Sequence, residues 1–563
     1  MLKLATVLDN PGEPFAQTRY RDAAHLAQMG YNGLVLFETT GLSGVTSPQS
    51  LGNDEINAWV AQQFEQVRQR IVQARAAGMK VYVLYDVLSL ARTTVEKYLT
   101  QVTCRNRPNS LCPASDLAVV KSIEALEQLL DQLPEVDGVV LRFGDNDAAR
   151  LPYLVGNDLY TPHCSRCSAL DKTQRIVQLV HAFHKVVVKS MNKQLIVRAW
   201  NVKPGGMHDT VELCKNVCEQ LPGPADDPRL IMSFKFPQTD FWRYQNWNPS
   251  SLACGGRPVI YELQCQREFE GKGAIPNWQV PLWRDGPPET ETQGNEASGD
   301  ADSSTPALAG LKDVTQSINF AGLWAWARGG GWGGPFITKE TWIDANVFAV
   351  PKLVDQPDAT LESLAQEWIT SSFGQVNDAL SQAIQNTLTH SPEFVLHGFY
   401  LGSYAKAKSK INSWHPNADW IQDDMLDAQA LWRVIQKLPD SKLDDLVHEK
   451  QQAVAQVASD QEAIALAADA DSRHAVEPLI NSLIYAESLF MTLRDLIAGL
   501  VAYRRFQKTR DSALVEQCQR RLMAAQTHWT HHTQRHGSLP GGATSYRENQ
   551  FWELTQKILS EIA

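Results

Sequence analysis

Eight short, β-rich apolar runs, most of them followed by a polar loop and a helix-like segment, constrain this chain more than any other feature. They cover residues 2–9, 31–38, 79–86, 136–145, 194–201, 229–236, 257–264 and 320–327. Each is nearly continuous in apolar residues instead of alternating, which suits strands buried on both faces of a parallel sheet. Amphipathic stretches such as 58–78 and 173–191 separate them, and Gly30 and Gly78 fall where helices should stop. Eight such units predict an α/β fold, a (β/α)8 TIM barrel over residues 1–354. An open doubly wound sheet is the alternative, but no G-x-G-x-x-G follows the first run, so a dinucleotide site has no support.

From residue 355 the rhythm changes. Segments 443–470 and 476–507 have helical periodicity and few strand signals, predicting an all-α C-terminal domain over 355–563. Its apolar faces read as its own core, with a homodimer surface as the alternative. Before the eighth run, residues 285–306 are polar, acidic and rich in Gly, Pro and Ser. They read as a mobile insertion, with a lid as the alternative.

A net charge of −11, with no basic run, argues against nucleic-acid or anionic-membrane partners. No stretch approaches a membrane span and the first residues lack a signal peptide's apolar core, so a cytoplasmic or periplasmic location is expected. The nine cysteines do not suggest a disulfide framework. Cys164-x-x-Cys167 reads as inert thiols or a local disulfide; a zinc site would need a second pair, such as Cys214-x3-Cys218. No metal and no cofactor are expected.

Polar residues cluster where the strands end. Glu38, Asp86, Asp145, Arg198, Lys235, Asp240 and Glu268 stand at or just past the C-terminal ends of their runs, the rim that carries active sites in barrels. Several carboxylates on one rim suit glycoside hydrolysis, in which one acid protonates the leaving oxygen and another activates water or attacks the sugar. Aldolases and metal-dependent hydrolases also use such rims. Nucleophile-elbow, H-E-x-x-H and P-loop patterns are all missing. The chain holds 16 Trp, and Trp200, Trp242, Trp247, Trp324, Trp326 and Trp332 fall on or beyond the fifth, sixth and eighth runs, where indoles can stack on sugar faces. His208, just past the fifth run, is a candidate sugar contact, unlike His181 and His184, which lie in a helical stretch.

Several of these segments resemble the family 67 glycoside hydrolases, the α-glucuronidases that remove glucuronate branches from xylan fragments. Lys235-FPQT-Asp240-Phe241 is similar to the family's K-N-G-P-I-D-F. Glu262-Leu-Gln264-CQR-Glu268-Phe269-Glu-Gly271 is similar to E-x-Q-I-T-Q-E-Y-L-G. Val197-Arg198-Ala199-Trp200 resembles W-R-A-F, and Ala345-Asn346-VFA and Glu367-Trp368 echo A-N-W-Y-A-F and E-W. The likeness covers roughly residues 25–375. It implies an inverting, exo-acting enzyme in which Asp240 and Glu268 hold and deprotonate water while Arg198 and Lys235 grip the sugar carboxylate. Glu38, Trp200, Trp242, Trp326 and His208 would complete the contacts to an oligosaccharide bearing an acidic sugar. Two departures stand out. The family's acid, the Glu of N-S-E-G, is replaced by Gly144-Asp145-Asn146-Asp147, which makes Asp145 the expected acid and Asp147 the reserve. The family's barrel follows a separate α/β domain, whereas the first run here starts at residue 2, so an unorthodox relative is expected. A carbohydrate-binding protein on a degenerate hydrolase barrel is the alternative.

Overall fold

The computed structural model describes residues 1–9, 16–47, 51–144, 151–201, 205–243, 247–286, 310–329, 339–402, 421–422, 425–536 and 549–563. Asp145, Asp147, Trp332 and the 285–306 insertion beyond Gly286 lie outside the described residues.

All eight expected strands form: β1 Leu2–Val7, β2 Gly33–Leu36, β3 Lys80–Asp86, β4 Gly138–Arg142, β5 Gln194–Arg198, β6 Leu230–Lys235, β7 Pro258–Gln264 and β8 Asn319–Arg328. They close into a barrel in sequence order, β8 returning to β1 with Leu4 opposite Trp324 and Thr6 opposite Trp326. Every pairing in the barrel is parallel. Four strands, β2, β4, β6 and β7, are buried along their whole length, which is why their sequences run apolar without alternation.

Local signals set the helix ends. Asn53 caps the helix Asp54–Ala76 by accepting from the backbone N–H of Glu55 and Ile56. Gly30 and Gly78 take positive φ values of 96° and 73° after their helices, a conformation that costs a residue with a Cβ. Tertiary space dictates Gly144. A Cβ there would meet Asn201 Oδ1 at 2.1 Å, so only glycine lets the chain leave β4 beside the end of β5.

The helix Thr341–Asp355 follows β8 and packs back on the barrel, its Val347 carbonyl accepting from Tyr31 Oη at 2.6 Å. The expected boundary at residue 355 therefore falls at a helix end. The next elements are helices, Leu361–Phe373 and Asp378–Phe399, and after the short hairpin Ile421–Gln422/Met425–Leu426 come Ala428–Lys437, Leu443–Ala467, Arg473–Thr509, Ser512–His536 and Asn549–Ile562. One apolar core runs continuously from the barrel into these helices. No helix among the described residues is long and apolar enough to cross a membrane.

The helical region holds a built-in acid sensitivity. His532 and His536 lie buried together against Tyr485, and burial depresses them to about 3 and about 4 respectively. Both fold as neutral rings, whereas the unfolded chain takes up protons below about pH 6.5. A depressed histidine pKa thus gives stability that is complete above that pH and declines as pH falls towards the folded values. Denaturant midpoints measured between pH 7 and 4 should fall, and His536→Leu should flatten the fall.

Candidate active site

The rim at the C-terminal ends of the strands is polar and ion-paired. Asp86 ends β3 and Arg142 ends β4, in register, and Arg142 binds Asp86 through both Nε and Nη2, the latter at 2.9 Å. Arg198 ends β5 and reaches across β6 to Glu262 of β7, with Nε at 2.9 Å and Nη2 at 2.9 Å from its oxygens. Ser233 of β6 donates to the same carboxylate at 2.9 Å. Residues of alternate strands share an interior layer in such barrels, which is why β5 meets β7 over β6. Arg198 and Glu262 are almost fully buried, so this layer contains an ion pair where aliphatic packing is the norm.

Beyond β6, the Lys235 ammonium contacts Asp240 and lies 3.8 Å from the ring centre of Trp200, 4.5 Å from Phe241 and 5.3 Å from Trp326. An ammonium among aromatic faces gains cation–π attraction that is strongest when water is excluded. The His208 ring packs edge-on against Trp200 at 4.9 Å. Burial, followed by the Lys235 charge, pushes His208 well below the usual histidine range, so it is a neutral ring here.

Two loops carry Asp240 and Glu268, and they are fastened to each other. Trp242 stacks on Phe269 with ring centres 3.8 Å apart and planes 4° from parallel. One residue further along each loop, Arg243 pairs with Glu270 at 3.0 Å. Arg267, in the left-handed region at φ 61°, turns the chain after β7 and binds Glu270 through Nε and Nη2, both at 3.0 Å. A non-glycine residue held there is strained, and such strain persists only where surrounding contacts over-determine it. Asn277 and Tyr400 also donate to Glu270, at 2.7 and 2.8 Å. Burial works to raise the Glu270 pKa, but the Arg243 and Arg267 guanidiniums outweigh it and hold the carboxyl at about 2. Asn346 completes the brace, donating to the Cys265 and Asn277 carbonyls at 3.0 Å each and accepting from Gln279 N–H. Tyr400 comes from the helical region, so that region reaches directly behind the Glu268 loop. Tyr400→Phe should therefore destabilise the fold by about 1.5–3 kcal/mol, the usual worth of a hydrogen bond to a charged group, in a denaturant titration.

The expected site residues divide. Asp240 and Glu268 lie 5% and 6% exposed at the barrel mouth, with the Glu268 N–H bonded to Gln264 Oε1 at 3.0 Å. Arg198, expected to grip a sugar acid, has Nε and Nη2 committed to Glu262, because a buried guanidinium needs a carboxylate beside it. Glu38, expected as a sugar contact, is held by Arg21 at 3.3 Å and by Arg70 at 3.6 Å from the helix Asp54–Ala76. The tryptophan platform shrinks. Trp242 gives a ring face to Phe269, Trp247 packs on Tyr261 and Phe236, and Trp324 is fully buried. Trp200 and Trp326 are each 4% exposed, so they form a wall under Lys235 and offer no open platform. Glu262, Glu270 and Asn346 were not expected as site residues. Their signal was present in the motif segments, but nothing in the sequence separates a carboxylate that faces ligand from one that braces a loop. An open groove of about 940 Å³ along Thr18, Arg19, Glu340, Asp344 and Trp368 is a separate feature, lined by neither Asp240 nor Glu268.

The cysteines also sort differently from expectation. Cys164 and Cys167 gather with Cys104 and Cys112, while Cys214 and Cys218 gather with Cys254. All nine are free thiols.

No protein-family model matches the sequence, and no curated protein matches it. Solved structures do. A GH138 enzyme targeting pectin rhamnogalacturonan II aligns over 100% of this chain and 83% of its own, with a TM-score of 0.56 and 11% identity. A mutant of the Thermobaculum terrenum O-GlcNAc hydrolase aligns over 100% of this chain and 94% of its own, with a TM-score of 0.43 and 7% identity. The first of these shares the fold: a closed eight-stranded parallel barrel followed by a largely helical region.

Proposed function

We propose that this chain is a glycoside hydrolase, exo-acting and inverting, that releases a uronic acid or related sugar from an oligosaccharide. One observation carries the reading: Asp240 and Glu268 sit on two loops locked together at the barrel mouth by the Trp242–Phe269 stack and the Arg243–Glu270 pair. Catalytic carboxylates need fixed positions, and this bracing supplies them. In the proposed mechanism Asp240 and Glu268 orient a water and take its proton, and Asp145 protonates the leaving oxygen. Lys235, between Asp240 and the Trp200 face, meets the sugar carboxylate. Arg198 acts mainly through Glu262, shaping the floor under Lys235. The fold neighbour acts on pectin rhamnogalacturonan II and the motif resemblance is to enzymes of xylan branches, so pectic and xylan-derived fragments are the first substrates to try. Incubation followed by proton NMR reads both the sugar released and its first-formed anomer. Release of the inverted anomer supports the proposal; the retained anomer overturns the inverting assignment.

One observation favours a second reading, a sugar-binding barrel without turnover. Arg142, Arg198 and Lys235 are all paired with carboxylates already present in the chain. That reading expects calorimetric binding of the same fragments with no hydrolysis.

A further inference from the structure

Four cysteines from two separate stretches of chain meet in the loops above β3 and β4. Cys104 ends a two-residue strand, Thr103–Cys104, which pairs with Arg107–Leu111, and Cys112 follows that hairpin directly. Cys164 is the N-cap of the short helix Ser165–Ser168 and Cys167 is its third residue. Their Sγ atoms lie 3.6 Å apart for Cys112–Cys164, 3.6 Å for Cys164–Cys167 and 3.9 Å for Cys104–Cys167, and all four fall within 4.8 Å of one another.

We propose that Cys104, Cys112, Cys164 and Cys167 form a structural tetrahedral zinc site that staples the β3 loop to the β4 loop. A Zn–S bond is about 2.3 Å, so a tetrahedron of four thiolates has S···S edges of about 3.8 Å, which the observed spacings bracket. Cys164 Sγ lies 3.6 Å from both Cys112 and Cys167, so the thiols are not grouped as two separate pairs. They also form a small cluster apart from the main core, with Ala114 the partly buried apolar residue packed against it. Four buried thiols that close on each other and not on aliphatic side chains gain little from hydrophobic packing, and metal ligation gives them a reason to converge. The surroundings suit thiolate sulfur. The N–H groups of His163 and Cys164 point at Cys167 Sγ at 3.1 and 3.3 Å. Arg166 grips the Gln101 and Thr103 carbonyls, and buried Arg175 donates to the Cys167 carbonyl at 3.0 Å, so two cations flank a centre whose net charge would be −2.

The position gives the site a use. The β4 loop begins at Phe143 and contains Asp145, and it interlocks with the β3 loop where Leu90–Ala91 pairs with Leu154–Val155. A metal staple on those two loops fixes one side of the barrel mouth. The proposal does not rest on the glycosidase reading, because its test reads metal and thiols, not turnover.

The full chain, purified without chelator or added metal, should contain about one zinc per molecule by elemental mass spectrometry, as for a single four-thiolate site. Without reductant, iodoacetamide should leave the four cysteines unlabelled until a strong chelator is added, and peptide mapping should then find all four alkylated. Cys112→Ser combined with Cys164→Ser should abolish the zinc, and Cys214→Ser combined with Cys218→Ser should leave it. If the first variant does not fold, Co(II) exchanged into the wild-type chain decides, since four thiolates give intense tetrahedral d–d bands. Two results overturn the proposal: thiols that label only after reduction, which means disulfides, or thiols that label freely in a chain that binds neither zinc nor cobalt.

Discussion

Replacing Glu268 by glutamine should lower turnover on a cleavable oligosaccharide by about 10²–10⁴-fold, the usual contribution of a positioned general base, and leave the denaturant midpoint close to wild type. Glutamine keeps the shape and loses the proton-accepting oxygen. The loop's conformation depends on its neighbours: Arg267 at φ 61°, the Trp242–Phe269 stack, and Glu270 with its guanidinium, amide and phenol partners. Glu270→Gln, two positions along, makes the control. It removes a charge buried between two arginines, so it should reduce stability first and activity only as a consequence. A depressed carboxylate such as Glu270, held at about 2, gives stability that is present above the ordinary glutamate pKa and is lost as pH falls towards 2. The Glu270→Gln protein should therefore lose that part of its acid dependence. Steady-state kinetics and urea titrations on the two variants separate the roles. Wild-type turnover in the Glu268→Gln protein would sink the catalytic assignment.

The second large effect is on the barrel interior. Glu262→Leu should cost about 3–5 kcal/mol of unfolding free energy, because it leaves the Arg198 guanidinium buried without its carboxylate. Glu262 is fully buried and binds Arg198 and Ser233 together, so no solvent can take its place. The double variant Arg198→Met with Glu262→Leu should recover most of that loss, since well-packed apolar residues of similar volume commonly match or exceed a buried ion pair. Guanidinium titrations of the three variants give the coupling energy. A neutral single variant would mean that Arg198 finds another partner and that the pair does not organise the floor beneath Lys235.

The barrel was legible in the sequence because its strands are buried on both faces. Residues such as Val139–Leu141 and Leu195–Val197 leave no polar alternation to misread, and helices of clear amphipathic period lie between them. Gly30 and Gly78 mark helix ends for a local backbone reason, the positive φ that follows a last turn. The site was legible only in part. Lys235, Asp240 and Glu268 stand out because they lie at or just past strand ends, but that position does not reveal partners. The commitment of Arg198 to Glu262 depends on β5 and β7 sharing an interior layer across β6, a property of the closed barrel and not of either segment. Trp242 looked like a sugar platform until Phe269, from the neighbouring loop, took its face.

The cysteines show the same division most sharply. The spacing of Cys164 and Cys167 is a local fact that reads as a possible ligand pair. Its match with Cys104 and Cys112, in place of Cys214 and Cys218, comes from the way the β3 and β4 loops fold over each other. What the sequence determined by itself is what hydrophobic period and backbone preference encode within a dozen residues: eight strands, their helices, and which polar groups end each strand. Tertiary structure alone decided which of those groups neutralise one another, because burying a charge forces a choice of partner, and partners far apart in the chain become neighbours only when the barrel closes.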